Sequence, residues 1–306
     1  MKIAVIGAGA VGGYFGGRLA VKGHDVVFLV RGKTLEALRT GPLRVESIKG
    51  DFEVAVRATD DPAEVGEIDA VLVAVKAWQV PAAAAVIAEM PSRDAVVVPL
   101  QNGMEAPEQL AAVLGWDRVA GGLCRIVAEA VGPGRVRHYS AEPSIVMGRL
   151  RPLRLSNRLE ELWAAFRAAA VRCDIATDIK AAMWEKFLFI APWGSIAAMT
   201  GLPIGAIRSA PELHDRLRAA IEELADVARA DGISLETART LGILDRLPAD
   251  TTSSMQRDIM AGRPSELEAQ TGAVVRFGRK AGVPTPVHEA IYRELLPLEK
   301  RARGLA

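Results

Sequence analysis

The stretch "KIAVIGAGAVGGYFGG", Lys2 to Gly17, decides how the rest of the chain is read. "KIAVI" is a short apolar run with β-branched residues that stops at a glycine, the pattern of a buried strand. "GAGAVG", Gly7 to Gly12, is a GxGxxG hexapeptide, and "GYFGGRLAVKG" continues as a helix. Alone, that hexapeptide is common. Between a strand and a helix it forms a phosphate cradle. The first glycine permits a tight turn, the second lets a pyrophosphate approach the backbone, and the third lets the helix pack on the strand. The start of the helix adds free N–H groups and the positive end of its dipole. Gly7, Gly9, Ala10, Val11 and Gly12 are therefore the expected dinucleotide-binding residues. A glycine turn without a ligand is the plain alternative, and the flanking strand and helix disfavour it.

Further along, "DVVFLVRG" reads as a second strand, with "AVLVAVKAWQ" (70–79) and "AVVVPLQNG" (95–103) as others around an alanine-rich helix. Strands alternating with helices indicate a parallel sheet with crossovers. "RVAGGLCRIVAEAVGPGRVRHYSAEPSIVMG" reads as short strand-like pieces with turn signals, expected to extend that sheet in antiparallel fashion. "NRLEELWAAFRAAA" is a helix and "VRCDIAT" a last strand. From about Asp178 onward, helical patterns such as "PELHDRLRAAIEELADVARADG", with Gly232 as its C-cap, replace strands. The expected fold class is α/β, a Rossmann-type doubly wound parallel sheet followed by an all-α C-terminal domain. The expected domains are 1–177, binding the dinucleotide, and 178–306, helical.

A net charge of +1 with 25% charged residues marks no nucleic-acid partner and no acidic tail. The two cysteines, Cys124 and Cys173, stand outside any metal or CxxC spacing, as buried thiols of a reducing compartment would. His24, His138, His214 and His288 are scattered, so neither a metal cluster nor a serine–histidine triad can be assembled by spacing. The opening residues run into glycines instead of a long apolar region, so a signal peptide is not expected. "MWEKFLFIAPWGSIAAMTGLPIGAI", Met183 to Ile207, has no formal charge after Lys186. It exceeds the roughly 20 residues that span a bilayer. However, Pro192, Gly194, Gly201, Pro203 and Gly205 interrupt it, and no second span or basic flank supports an anchor. Pro192 is expected to kink or break the helix. The chain reads as soluble and cytoplasmic.

In open parallel sheets, ligands bind outside the carboxyl ends of the strands. The second strand ends at Arg31, where NAD-binding versions usually carry an acid for the ribose 2′-hydroxyl. A guanidinium suits a 2′-phosphate instead, so the expected cofactor is NADPH. Two further strands end at Lys76 and Asn102. Singly, each of these could be a surface arginine or a residue satisfying a turn. Converging on one edge, they make a site.

"GAGAVGG" with "LVRG", "VAVKAWQ" and "QNGME" resembles the ketopantoate reductase (2-dehydropantoate 2-reductase) family. "MWEKFLF" is similar to that family's tryptophan-x-lysine helix. "SSMQRDIMAGRPSELEAQTG" (253–272) is similar to its Ser-Ser-Met…Asp…Gly-Arg…Glu block, and the resemblance covers essentially the whole chain. It implies NADPH-dependent reduction of a 2-oxo acid, ketopantoate to pantoate in pantothenate biosynthesis. It also implies residue roles. Lys186 would be the general acid, and Glu266 the acid near it that contacts substrate or cofactor. Ser254 would bind the substrate carboxylate. Asn102 would touch both the nicotinamide end and the substrate, and Ala128 would give the cofactor a backbone contact.

Elementary chemistry agrees on the lysine. Reducing a ketone leaves an alkoxide, so a positioned proton donor with a pKa near working pH accelerates the step. A lysine in apolar surroundings is pushed toward that range. The competing reading is a lysine snorkelling from a core helix. The Glu266 block favours the first, with Lys186 expected to point into an interdomain cleft.

The sequence also departs from the family. Asparagines typical four and eight residues after the lysine, on the same helix face, are here Ile190 and Gly194. A third falls on Ile204. The proton donor is kept while side chains for a polar substrate are lost. Ketopantoate is therefore expected to show a high KM, and a paralogous reductase of a less polar 2-oxo acid or imine is the second reading. A non-catalytic NADPH sensor is the reading from another class, and it would need none of Lys186, Ser254 and Glu266. The expected partner is a small-molecule 2-oxo acid, with no nucleic acid and no membrane. A homodimer is compatible with the sequence.

Overall fold

β1 (Lys2–Ile6) is apolar on both faces because both faces are covered. Ile3 and Val5 point into one hydrophobic cluster and Ala4 and Ile6 into another. That doubly covered strand is typical of parallel sheets. The structure is a computed structural model and describes residues 1–154 and 156–305. Its chain divides into two units, Met1–Gln101 with Ala106–Ala182, and Asn102–Glu105 with Met183–Ala306.

The first unit continues through α1 (Ala10–Val21), β2 (Asp25–Leu29), α2 (Gly32–Thr40), β3 (Leu43–Ser47), β4 (Phe52–Val54) and β5 (Arg57–Thr59). Next come β6 (Ala70–Val73), α3 (Val80–Glu89), β7 (Val96–Pro99) and α4 (Ala106–Leu114). β8 (Gly121–Gly132), β9 (Arg135–Gly148), α5 (Ser156–Ala168) and β10 (Arg172–Ile175) complete it. One sheet has the order β5-β2-β1-β6-β7, all parallel. Helices α3 and α4 cover one of its faces, α1 and α5 the other.

The β8–β9 segment does not extend that sheet. It is an antiparallel hairpin in a second sheet, in which β9 also pairs in parallel with β3 and β10. Arg135–His138 lie beside β3 and Ser144–Met147 beside β10, with Ala141 at φ 63° between them. Three register shifts in the β8–β9 pairing disrupt its period of two, which is why two long strands read as several short ones.

The second sheet also explains the glycines of α1. A Cβ on Gly16 would sit 2.7 Å from Phe28 of the first sheet. One on Gly13 would sit 2.7 Å from Val136, and one on Gly17 would sit 2.9 Å from Phe52, both in the second. Helix interiors disfavour glycine by roughly 0.5–1 kcal/mol relative to alanine. Here that cost lets one helix lie against both sheets, while Tyr14, Phe15 and Leu19 fill the core between them.

α6 (Ile179–Thr200) leads into the second unit, followed by α7 (Ile204–Ser209), α8 (Pro211–Ala230), α9 (Thr237–Leu244) and α10 (Ser254–Met260). A π-helical turn, Glu268–Gly272, runs into α11 (Ala273–Ala281), and α12 (Pro286–Ala302) follows. Pro192 does not break α6, which stays helical to Thr200. Proline costs a helix interior about 3 kcal/mol. Burial of Trp184, Phe187, Leu188, Ala191, Trp193 and Ile196 along the same helix outweighs it. Gly232 follows α8 at φ 84°, and Ile233 N–H reaches Ala228 C=O at 2.9 Å, a Schellman closure. Buried Glu223 accepts from the N–H groups of Val287 (2.6 Å) and His288 (3.1 Å), capping α12 from a distant helix. Among the described residues, no helix is long and apolar enough to cross a membrane.

Candidate active site

In the first unit, the turn after β1 has the shape of a phosphate cradle. Gly7 has φ 94°, and its N–H donates to Leu29 C=O at 3.1 Å, tying the turn to the end of β2. A Cβ on Gly12 would lie 1.9 Å from the Gly7 carbonyl oxygen, so only glycine fits there. A Cβ on Gly9 would meet nothing within 4 Å, which leaves its side open for a ligand. Gly9 is the N-cap of α1, with no side-chain cap and no acid in the first turn. Early helix N–H groups, including those at Ala10 and Val11, have no intrahelical acceptor, so this end suits an anion.

Around the cradle, Arg31 is exposed just beyond β2 as the N-cap residue of α2. Lys76 is exposed beyond β6, with its ammonium 5.8 Å from the Trp78 ring centroid. Ala128 is half-buried on β8, opposite His138. Gln101 is a further contributor that the sequence pattern did not mark. Its Nε2 donates to Val73 C=O (2.8 Å) and Val75 C=O (2.9 Å), fastening the end of β7 to that of β6.

In the second unit, Lys186 lies on α6 with 8% exposure and Glu266 precedes the π-helical turn with 7%. Asn102 Nδ2 donates to Glu266 Oε2 at 3.0 Å, so two residues 164 apart in sequence meet. Two features hold this pairing. Gly103, at φ 101°, leaves room for Ala269 C=O, which a Cβ would approach to 2.6 Å. Glu105 takes two hydrogen bonds from Arg276, at 3.1 and 2.7 Å, and Arg276 also reaches Glu268 at 3.0 Å. Glu268 accepts from Tyr292 Oη at 2.6 Å. Burial first, and then that carboxylate, push the Tyr292 phenol up to about 12.

The backbone beside Glu266 is fixed from the far end of the chain. Glu299 on α12 accepts from Ser265 N–H at 3.1 and 3.0 Å and from Ser265 Oγ at 2.6 Å. Arg303 in turn donates to Glu299 (2.6 Å) and to Ser265 C=O (2.9 Å). Nothing in the local pattern of α12 signals this clamp. Ser254 opens α10 and is exposed, while neighbouring Ser253 is buried and caps that helix through Gln256 N–H at 3.0 Å. Of the departures, Ile190 is half-buried, Gly194 is buried, and Ile204 is fully enclosed in the helical core. Among the described residues, no group of three or more His, Cys, Asp or Glu could hold a metal.

Two family models match the chain, "Ketopantoate reductase PanE/ApbA" over residues 3–152 and "Ketopantoate reductase PanE/ApbA C terminal" over 178–299. An uncharacterized oxidoreductase, YkpB of Bacillus subtilis, is 31% identical over 298 residues, covering 96% of this chain and 98% of that one. A 2-dehydropantoate 2-reductase of Archaeoglobus fulgidus is 30% identical over 290 residues, covering 95% of each. The crystal structure of a PanE/ApbA family ketopantoate reductase from Ralstonia eutropha superimposes with TM-score 0.90 at 31% identity. That match covers 99% of this chain and all of the other. The chain therefore belongs to the ketopantoate reductase family, a family of oxidoreductases.

Proposed function

We propose that this protein reduces a 2-oxo acid to a 2-hydroxy acid with NADPH, a reaction of the 2-dehydropantoate 2-reductase type. The observation that carries the proposal is a lysine, Lys186, kept 8% exposed on an apolar helix in the same unit as the Asn102–Glu266 pair. In this reading Gly7, Gly9, Ala10, Val11 and Gly12 receive the pyrophosphate, and Arg31 takes the 2′-phosphate. Lys76, Asn102 and the Ala128 backbone complete the cofactor contacts, with Glu266 also among them. Bound there, the cofactor supplies a hydride. Lys186 Nζ donates a proton to the substrate carbonyl oxygen as charge develops on it. Glu266, held by Asn102, orients the lysine, and Ser254 receives the substrate carboxylate. The reaction would take place in the cytoplasm.

Half-buried Ile190 favours a second reading within the same chemistry, a paralogue acting on a less polar 2-oxo acid or an imine. A non-catalytic NADPH sensor would gain nothing from a buried lysine, whose desolvation costs stability. Oxidation of NADPH with a panel of 2-oxo acids tests the proposal. Lys186→Ala is expected to lower kcat by roughly 10²–10⁴, the range for losing a general acid, with NADPH affinity little changed. Near-normal turnover by that variant would show that Lys186 is a core lysine and no more.

A further inference from the structure

At the amino-terminal end of β7, opposite the strand ends that carry the Gly7–Gly12 turn, one charge is left uncompensated. Arg118 C=O accepts from Val97 N–H at 2.8 Å, and Val119 bridges to Val97, which fixes Arg118 against that end of the sheet. The residue is 7% exposed. Its Nη2 donates to Ser92 C=O at 3.2 Å, while its Nε is buried with no hydrogen-bond partner among the described residues. A buried guanidinium is normally held by a carboxylate. Two carboxylates are close, but both are committed to Arg154. Asp117 Oδ2 accepts from Arg154 Nε (2.8 Å) and Nη2 (2.5 Å), and Asp94 Oδ1 accepts from Arg154 Nη1 at 3.3 Å. Arg154 N–H also donates to Asp117 C=O at 2.8 Å, which locks that arrangement.

A second guanidinium stands beside the first. Arg93 is exposed and donates to Ala88 C=O at 2.7 Å, near the end of α3. Among the described residues, neither Arg93 nor Arg118 forms an ion pair. Burial, and then the Arg93 and Arg154 cations, pull Arg118 below its ordinary value, against the opposing pull of Asp117 and Asp94. Arg93, Asp94, Asp117, Arg118, Leu153 and Arg154 line one cavity of about 10 Å³, and Arg93, Asp94 and Arg154 stand exposed at its rim. A space of that size holds one water-sized atom. An oxyanion can place a single oxygen there while the rest of it stays at the rim. Three guanidiniums and two carboxylates leave one positive charge around the cavity. A monovalent anion neutralises it, whereas a dianion would bring excess charge up to Asp94 and Asp117.

We propose that this cavity is a binding site for a small carboxylate, one of whose oxygens accepts from Arg118 Nε. The second oxygen lies at the rim, where Arg93 supplies the charge that neither aspartate has neutralised. The site is separated from the glycine turn by the length of the parallel strands, so it is independent of the cofactor and of the reductase reading.

The test uses the ¹⁵N-labelled full chain at neutral pH, titrated separately with acetate, inorganic phosphate and sodium chloride. The shielded Arg118 Nε–H gives its own resonance, assigned by its loss in Arg118→Lys. Acetate is expected to move it in a saturable way with a dissociation constant of about 1–10 mM, the scale of one or two charge-assisted hydrogen bonds. Chloride should give no saturable shift, and phosphate should bind more weakly than acetate. Binding by the variants is read from the Val119 backbone N–H. Arg118→Lys keeps the charge and loses Nε, and it should weaken acetate by about tenfold or more. Arg93→Ala, at an exposed position, should weaken it about threefold and serves if Arg118→Lys folds poorly. Arg31→Ala should leave the response intact, which separates this site from anion binding at the glycine turn. A resonance that acetate does not move would show that a buried water completes Arg118, and the site would be overturned. A chloride response equal to that of acetate, or acetate binding unchanged by Arg93→Ala, would overturn it as well. Tighter binding of phosphate than of acetate would overturn the carboxylate assignment.

Discussion

At the scale of single residues, burial and charge decide what each side chain can do. Arg31 is exposed at the N-cap of α2, free to meet a phosphate without disturbing the fold. NADPH is expected to bind at least about tenfold more tightly than NADH, equivalent to about 1.4 kcal/mol. Arg31→Ala should erase most of that preference with the melting temperature unchanged. Equal affinities in the wild type would remove Arg31 from the cofactor site. Cys173 is the opposite case. Burial, and then the neighbouring Asp174 carboxylate, push its thiol up from 9.0 to about 12. The unfolded chain ionises this thiol first, so its contribution to stability is complete below pH 9 and is lost as pH rises toward 12. The native protein should resist thiol reagents at pH 8, and Cys173→Ala should flatten the fall of the urea midpoint between pH 9 and 11. Rapid modification of Cys173 in the folded protein would contradict its burial.

At the scale of elements, the start of α1 was legible because the glycines of its opening turn have local causes, and α6 was only partly so. A turn at φ 94° and a helix start can be read from spacing alone. The contrast between neighbouring glycines cannot, since it depends on what lies across from each. Gly12→Ala should destabilise the protein severely, because its Cβ would collide with the Gly7 carbonyl at 1.9 Å. Gly9→Ala should fold normally, since its Cβ meets nothing within 4 Å, and still lose most of its NADPH affinity if the pyrophosphate is received there as proposed. Thermal melts with and without NADPH separate the two cases. A Gly9→Ala protein that binds NADPH normally would show that the pyrophosphate lies elsewhere. Elements that took their form from distant partners escaped the sequence. β9 pairs with β3 across about ninety residues, and α6 survives Pro192 because tertiary burial outweighs its intrinsic propensity. The site divided the same way. Asn102 and Glu266 could be picked out by motif, whereas Glu299 and Gln101 act through contacts with no local signature.

At the scale of the whole molecule, the division of the chain has a consequence for unfolding. Asn102–Glu105 belongs to the second unit, although the residues on both sides of it belong to the first. Within the second unit that short segment supplies Asn102 to Glu266, Glu105 to Arg276, and Met104 to the helical core. Unfolding of the first unit would release the segment's two ends and weaken all three contacts. The chain is therefore expected to melt in a single calorimetric transition at neutral pH, with the calorimetric and van't Hoff enthalpies in agreement. Met104 is half-buried against the helical core, so Met104→Ala should lower the stability of the helical unit by about 1–2 kcal/mol, less than the loss of a fully enclosed methionine. It should also separate the two melting events, because the segment would then tie the units less firmly. Two well-resolved transitions in the wild type would show that the second unit stays folded after losing Asn102–Glu105. In that case the hydrogen bond of Asn102 to Glu266 would add little to the stability of the second unit.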